Sequence, residues 1–276
     1  MNNNRYIDGC IPGLDEHGQR LDQEFQGSGG DIYKILYGED LCIVKIPNKR
    51  SYNDDISRLD DEVSLMHDEE LQQQPIAELK AVHSWLAESG AVKRGFVYRY
   101  YRGGDLMALL TQPRENRDPR LNGPSAELDF IVLLVVQRLC LVLATLHRMG
   151  WIHCDIKPEN IFCPSADYFG LTTCVLGDFG CLKRIGVEYV IPFQSGTEKW
   201  VPWRDGYTPA HGSFDMYSVG KIMLAFKVAF GPLSPEISQL ARKLMSRAAS
   251  ERPTASSLLE HTIPELLERL RQLNMQ

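Results

Sequence analysis

Two stretches of this sequence decide its fold: Trp151-Ile-His-Cys-Asp-Ile-Lys-Pro-Glu-Asn-Ile161 and, further along the chain, Val175-Leu-Gly-Asp-Phe-Gly180. Asp155 and Asn160 stand five residues apart, and Asp178 follows Asn160 by 18 residues at the end of a strand-like run. A polar turn beside a buried strand is the plain structural interpretation. It would need His, Asp, Lys, Asn and then Asp-Phe-Gly to occur in this order by accident, so we favour a functional site.

The two stretches resemble the catalytic loop and the metal-binding loop of the eukaryotic-type protein kinase family, which read H-R-D-x-x-x-x-N and D-F-G. The resemblance implies an α+β, bilobal protein-kinase-like fold. Its small lobe is an antiparallel β-sheet with one main helix, and its larger lobe is mainly helical. The predicted segments are an N-terminal extension (1–24), a kinase domain (25–268, with the small lobe at 25–101, the large lobe at 102–268 and an activation segment at about 178–203) and a C-terminal tail (269–276).

Roles for individual residues follow from the same resemblance. Phosphoryl transfer is mostly positioning and charge neutralisation, so it needs a carboxylate near the acceptor hydroxyl and oxygen ligands for a metal. By resemblance, Asp155 is the catalytic carboxylate, and Asn160 and Asp178 are ligands of Mg²⁺ or Mn²⁺. Lys157 resembles the lysine that Ser/Thr-specific members place near the transferred phosphate. Thr197 is at the position that contacts the catalytic aspartate.

A lysine for the nucleotide phosphates is expected upstream, on a strand. In the run at 41–46, an alternation of period two puts Leu41, Ile43 and Lys45 on one face. The run resembles the V-A-I-K strand of the family, which makes Lys45 the phosphate lysine. Ile43 stands where the family generally has alanine against the adenine ring, so we expect a tighter pocket and a lower affinity for ATP.

The family pairs this lysine with a glutamate on the following helix, predicted here at 54–71. Leu59, Val63 and Met66 recur at helical spacing and form its inward stripe. Glu62 lies against that stripe, whereas Asp61 would point elsewhere. Glu62 is therefore the predicted partner of Lys45, and their geometry is expected to control activity.

ATP is the cofactor that the resemblance implies. The glycine-rich stretch at 27–33 resembles the loop that covers its phosphates, although the usual third glycine is absent. The run at 96–106 resembles the linker between the lobes. The predicted nucleotide-binding residues are Gly27, Ser28, Gly29, Gly30, Ile32, Ile43, Lys45, Glu62, Tyr98, Arg99, Tyr101, Asp105 and Phe162.

The sequence departs from the family in two places that bear on regulation and stability. Cys154 replaces the arginine that usually precedes the catalytic aspartate, and a thiol cannot hold a phosphorylated activation loop by charge-assisted hydrogen bonds. We therefore expect little dependence on phosphorylation of that loop. The usual Ala-Pro-Glu ending is missing, so Arg252 loses its expected glutamate, and Asp205 is the predicted substitute.

Composition limits the classes of partner. The 276 residues are 43% hydrophobic and 24% charged, as in soluble globular proteins, and the net charge of -6 argues against nucleic acid as a partner. Seven cysteines without a two-residue spacing favour a reducing compartment, so we expect an intracellular protein of the cytoplasm and/or nucleus. The apolar run at 130–146 is shorter than the roughly 20 residues that a bilayer requires, which favours a core helix over membrane insertion.

Three functions are compatible with these patterns. The first is an active protein kinase that transfers the γ-phosphoryl group of ATP to Ser or Thr hydroxyls of protein substrates. The second is a pseudokinase that acts as a binding or scaffold module, motivated by the altered glycine loop, Ile43 and the lost Ala-Pro-Glu. The third is a small-molecule phosphotransferase of the same bilobal plan. The joint presence of Lys45, Glu62, Asp155 and the two metal ligands favours the first over the second. The run Lys157-Pro158-Glu159, Thr197 and the late arginine, Arg252, favour the first over the third.

Overall fold

The computed structural model describes residues 18–27, 30–47, 56–86, 92–121, 126–187, 189–190, 200, 202 and 208–274. The chain forms two compact units. The first comprises residues 1–68 and 77–100, and the second comprises residues 69–76 and 101–276. Residues 69–76 thus pack with the second unit although they lie between two segments of the first.

The first unit contains a five-stranded antiparallel sheet in the order β1-β2-β3-β5-β4. β-Branched and aromatic side chains favour these strands, and Gly38 has the φ of 63° that the tight connection between the second and third strands requires. The strands are β1 (Gly18–Gly27), β2 (Gly30–Tyr37), β3 (Asp40–Pro47), β4 (Leu79–Leu86) and β5 (Val92–Arg99).

The strand β1 begins inside the segment that we predicted as an irregular extension at 1–24. It pairs with β2 from Gly18 opposite Tyr37 to Gly27 opposite Gly30, with two register shifts. The sequence of β1 is mostly polar and has no hydrophobic alternation. Its strand conformation comes from hydrogen bonding to β2, which a local pattern does not encode.

The two faces of this sheet differ in character. One face carries a buried apolar cluster formed by Tyr33, Ile35, Cys42, Val44, Ile46 and Val97. The other face carries Lys45, which lies opposite Phe96, and Ile43, which lies opposite Tyr98. The Phe96 and Tyr98 rings stack on that face with their centroids 6.4 Å apart.

Among the described helices, α1 (Ile56–Met66) is the one that belongs to the first unit. We predicted a single helix at 54–71, but the chain leaves the helix at His67 and Asp68. The His67 ring nitrogen Nδ1 lies 2.8 Å from the Val63 carbonyl oxygen, and Asp68 N–H donates to the Leu65 carbonyl at 3.0 Å, which tightens the last turn. The next short helix, α2 (Glu69–Gln72), belongs to the second unit.

The second unit is built around two long helices, α4 (Ala126–Arg148) and α6 (Ser213–Phe230). Short strands pair antiparallel as β6 with β9, β7 with β8 and β10 with β11. The strands are β6 (Trp151–Ile152), β7 (Ile161–Phe162), β8 (Val175–Leu176), β9 (Lys183–Arg184), β10 (Tyr189–Val190) and β11 (Thr208–Pro209). The other helices are α3 (Leu106–Thr111), α5 (Tyr168–Thr172), α7 (Pro235–Leu244), α8 (Ala255–Ser257) and α9 (Ile263–Asn274).

The helix α4 corresponds to the long apolar run of the sequence. It is long and apolar enough to cross a membrane by length and composition, and among the described helices no other meets that criterion. However, 61% of its most apolar window is buried within the protein. Burial against the neighbouring helices accounts for its apolar character.

A π-helical turn (Leu258–Thr262) precedes α9. Pro264 has no N–H and so cannot donate to the carbonyl four residues before it. In the π-helical turn, the N–H of Ile263 donates to the carbonyl of Leu258, five residues back. The helix α9 then continues to Asn274, so the predicted tail at 269–276 is helical over most of its length.

Candidate active site

The catalytic-loop sequence forms a short, tightly bonded connection between β6 and β7. Residues Pro158–Asn160 make one turn of 3₁₀-helix, with Pro158 at its first position, where a missing N–H costs nothing. Cys154 has a φ of 65°, a left-handed conformation that is uncommon for a residue other than glycine. This turn, just before Asp155, is held by contacts from elsewhere in the second unit.

Asp215, in the first turn of α6, supplies those contacts. Its Oδ2 accepts from His153 N–H and its Oδ1 accepts from Cys154 N–H, both at 2.9 Å. The His147 ring nitrogen Nε2 lies 2.9 Å from Oδ2 of the same carboxylate. Burial alone would raise the pKa of Asp215, but the hydrogen bond and charge of His147, with the charge and N–H of His153, hold it below its usual value.

Asp155, Lys157 and Asn160 form one hydrogen-bonded group. Lys157 Nζ donates to Oδ2 of Asp155 at 2.7 Å. The side-chain amide of Asn160 donates to the same Oδ2 at 3.0 Å and to the main-chain oxygen of Asp155 at 2.8 Å. Asp155 is 6% exposed and Asn160 4% exposed. Lys157 and Asn160 therefore hold the Asp155 carboxylate in a site with little exposure to water. Catalysis by orientation of the reacting groups requires such a fixed position.

The Asp178 loop is bonded directly to this group. Gly177 N–H donates to the main-chain oxygen of Asn160 at 2.9 Å, and the His153 ring nitrogen Nε2 lies 3.1 Å from the Gly177 oxygen. The Phe179 ring is fully buried and lies 5.0 Å from the His153 ring. Asp178, between Gly177 and Phe179, has a φ of 58°, again left-handed, and it is half-buried whereas Phe179 is fully buried.

The donor atoms of this group fit a hard divalent cation. Among the described residues, no cluster of three or more His, Cys, Asp or Glu side chains is arranged as a metal site. Asn160 uses its amide nitrogen for both bonds to Asp155, so its amide oxygen is the atom suited to a cation, and Asp178 adds a carboxylate. Two such protein oxygens, completed by substrate phosphates and water, match the usual surroundings of Mg²⁺.

Two predicted nucleotide-binding residues of the second unit stack on each other. The rings of Tyr101 and Phe162 have centroids 5.9 Å apart and an interplanar angle of 16°. Next to them, Asp105 caps α3 by accepting from Ala108 N–H at 2.8 Å, a function that we did not predict. Burial raises the pKa of Asp105, partly offset by that bond. The predicted contact of Asp105 with the nucleotide would have to use the remaining acceptor capacity of its carboxylate.

The remaining predicted nucleotide-binding residues belong to the first unit. Ile32 lies opposite Lys45 in the β2–β3 register, and Glu62 is 2% exposed, so its side chain points into this unit. Arg99, at the end of β5, donates its backbone N–H to the Glu78 carbonyl at 3.0 Å. Gly27 and Gly30 end and begin strands that pair directly.

Some predicted residues lie outside the described part of the chain, namely Ser28, Gly29 and Thr197, together with Asp205. Arg252, whose predicted partner was Asp205, is 5% exposed. Its guanidinium donates to the carbonyls of Ser246 at 2.9 Å and Ser213 at 3.2 Å, and lies 5.1 Å from the centre of the Tyr217 ring.

Sequence reasoning missed the residues that hold the catalytic loop. Asp215 is not among the residues predicted for the site, although a charged residue that is buried at the start of an apolar helix needs a partner. His147 gave no signal beyond its place near a helix end. Sequence reasoning also missed the short helix α5, which lies between Asn160 and Asp178 and is capped by Asp167 accepting from Gly170 N–H at 2.9 Å.

Comparison with known proteins also indicates a protein kinase. Residues 25–263 match the family described as "Protein kinase domain". The chain is similar to Wee1-like protein kinase of Arabidopsis thaliana, with 26% identity over 47% of this chain and 29% of the relative. It is similar to serine/threonine-protein kinase D2 of Homo sapiens, with 27% identity over 74% of this chain and 22% of the relative. Serine/threonine-protein kinase Nek3 of Mus musculus is 26% identical over 60% and 35%, so the chain spans well under half of each relative.

Proposed function

Because this chain belongs to the protein kinase family, we propose that it transfers the γ-phosphoryl group of ATP to Ser or Thr hydroxyls of protein substrates in the presence of Mg²⁺. One observation carries the proposal. The carboxylate of Asp155 is held by both Lys157 and Asn160 at hydrogen-bond distances of 2.7 and 3.0 Å. A buried carboxylate that accepts hydrogen bonds from an ammonium group and a side-chain amide is suited to bind and orient an acceptor hydroxyl.

The residues of the group have distinct tasks in this proposal. Asp155 accepts the hydrogen bond of the acceptor hydroxyl and takes up its proton. Lys157, already bonded to Asp155, places a positive charge beside the oxygen to which the phosphoryl group moves. Asn160 and Asp178 would hold Mg²⁺, which when bound neutralises the negative charge of the phosphates. Lys45 would contact the nucleotide phosphates with Glu62 as its partner.

Serine/threonine specificity has two supports. Lys157 follows Asp155 by two residues, as in the Ser/Thr-specific members of the family that the sequence resembles. Two similar proteins, kinase D2 and Nek3, are also named serine/threonine-protein kinases. We propose the same acceptor class here.

The test is a transfer assay with purified full-length protein, labelled ATP, Mg²⁺ and a generic basic protein. We expect label on the basic protein, found as phosphoserine and phosphothreonine after hydrolysis. Asp155→Asn and Lys45→Met should abolish transfer, whereas Glu115→Gln, a surface carboxylate of the second unit, should not. ATP binding without transfer would indicate the scaffold function, and transfer only to a small metabolite would indicate a small-molecule phosphotransferase.

A further inference from the structure

An ion pair joins the sheet of the first unit to its helix. The Nη2 atom of Arg94, on β5, lies 2.6 Å from Oδ1 of Asp60, on α1. The Arg94 side chain is only 18% exposed, whereas the Asp60 side chain is 61% exposed. The Arg94 side chain is therefore largely buried, and its partner on α1 is the carboxylate of Asp60 at the protein surface.

The strand β5 brings Arg94 to the face of the sheet that carries Lys45. Phe96 lies directly opposite Lys45 in the β3–β5 register, and directly opposite residues of antiparallel strands share a face. Arg94 precedes Phe96 by two residues, so it points to the same face. The contact with Asp60 shows that α1 lies on this side of the sheet.

The helix carries Asp60 and Glu62 on nearly opposite sides. Two residues along an α-helix correspond to about 200° around its axis. The exposures agree, because Asp60 is on the surface while Glu62 is 2% exposed. Arg94 thus contacts the outer side of α1, and Glu62 extends from the inner side.

We infer that the Arg94–Asp60 ion pair sets the rotation of α1 about its axis and so positions Glu62 for Lys45, an inference that rests on the proposed kinase activity. A shift of one residue around the axis would turn Glu62 by about 100°, away from any partner on β3. Arg94 is therefore a positioning residue that acts through Glu62. Because the Asp60 carboxylate is 61% exposed, it stays hydrated when Arg94 is removed, so Arg94→Ala should affect turnover without unfolding the protein.

The first test measures steady-state kinetics with ATP for single and exchanged variants. Arg94→Ala and Asp60→Asn should each lower kcat/KM for ATP by about three- to tenfold, with melting temperatures close to that of the wild type. The exchanged variant Arg94→Asp/Asp60→Arg should recover most of the loss. Lys80→Ala is the matched control, because Lys80 forms ion pairs with Asp40 and Glu78, away from α1.

The second test separates positioning from a merely structural role. If Arg94 acts through Glu62, Arg94→Ala should have much less effect in a Glu62→Gln background than in the wild type. An equal loss in both backgrounds, or wild-type kinetics for Arg94→Ala and Asp60→Asn, would overturn the inference. Absence of transfer by the wild type would instead overturn the proposed kinase activity, so the two failures are distinguishable.

Discussion

Asn160 donates its side-chain amide twice to Asp155, at 2.8 Å to the main-chain oxygen and at 3.0 Å to Oδ2. These bonds hold the loop and the carboxylate together, five residues apart in sequence. Asn160 therefore has two tasks in the proposed mechanism, since its nitrogen fixes Asp155 and its oxygen would help to hold the cation.

Removing the side-chain amide of Asn160 should lower turnover while the protein stays folded. Asn160→Ala is expected to lower kcat by about 100-fold or more, because a misplaced catalytic group and a lost oxygen ligand both raise the barrier. The measurement is kcat at saturating ATP, with a thermal melt to confirm folding. Asn116→Ala, an exposed asparagine of the second unit, is the control. Near-normal turnover by Asn160→Ala would contradict the assignment.

The pKa of Asp215 predicts how stability depends on pH. Its folded-state pKa is lowered, chiefly by His147 acting against the cost of burial. The ionised carboxylate therefore stabilises the fold at a pH above the unfolded value of about 3.9, and this contribution is lost as pH falls through the lower folded pKa.

Asp215→Asn should reveal this dependence directly. The amide would leave backbone donors of the catalytic loop poorly paired, so we expect a loss of about 3 kcal/mol of unfolding free energy at neutral pH. The difference from wild type should shrink on acidification. Urea unfolding at several pH values measures it, with the exposed carboxylate variant Glu265→Gln as control. A constant difference across the acid range would argue against the lowered pKa.

Cys154 is adapted to an apolar site. It is 3% exposed and packs in a cluster with Ile152, Ala210 and Phe214. Restoring the arginine of the family, Cys154→Arg, should cost about 1–3 kcal/mol because it overpacks the cluster and buries a charge there. Urea unfolding should show a smaller loss for Cys154→Ala. Equal stabilities of the two variants would refute this explanation.

The same cysteine predicts how the enzyme responds to phosphatase. A thiol offers no charge-assisted hydrogen bond to a phosphorylated activation segment. Phosphatase treatment of the active protein should therefore leave the transfer rate within about twofold of its starting value. Substitution of Ser195 with alanine should be equally mild. A large loss that accompanies removal of a phosphate from Ser195 or Tyr189 would contradict this prediction.

Gly103 and Gly104 are expected to respond differently to alanine. A Cβ at Gly103 would lie 2.3 Å from the Ser165 carbonyl oxygen and 2.6 Å from that of Cys163, and these backbone atoms cannot easily move. At Gly104 the nearest contact is 3.8 Å, and the only cost is its φ of 72°. Gly103→Ala should therefore destabilise the protein by about 1–3 kcal/mol or more, and Gly104→Ala by about 1–2 kcal/mol. Chemical unfolding that ranks them in the opposite order would disprove this.

Most secondary structure could be predicted because its signals are local. The apolar run at 130–146 lies within α4 (Ala126–Arg148), and the run at 41–46 lies within β3 (Asp40–Pro47). The prediction was wrong for β1, where pairing with β2 overrides a polar pattern, and at His67, where competing hydrogen bonds end α1. For β1 the deciding hydrogen bonds join it to another strand, and at His67 they are local bonds to Val63 and Ser64 that compete with continuation of the helix.

The spacing of Asp155, Asn160 and Asp178 along the chain was enough to predict the protein kinase family, because a motif within one loop and one strand end is a local property. The catalytic and metal-binding roles of these residues stay predictions, and the contacts that hold their loops became visible in the folded chain. Asp215 reaches Cys154 across 61 positions of sequence, and Arg94 reaches Asp60 from a different element. Such contacts depend on how helices pack beside strands, and periodicity along the chain carries no information about packing partners.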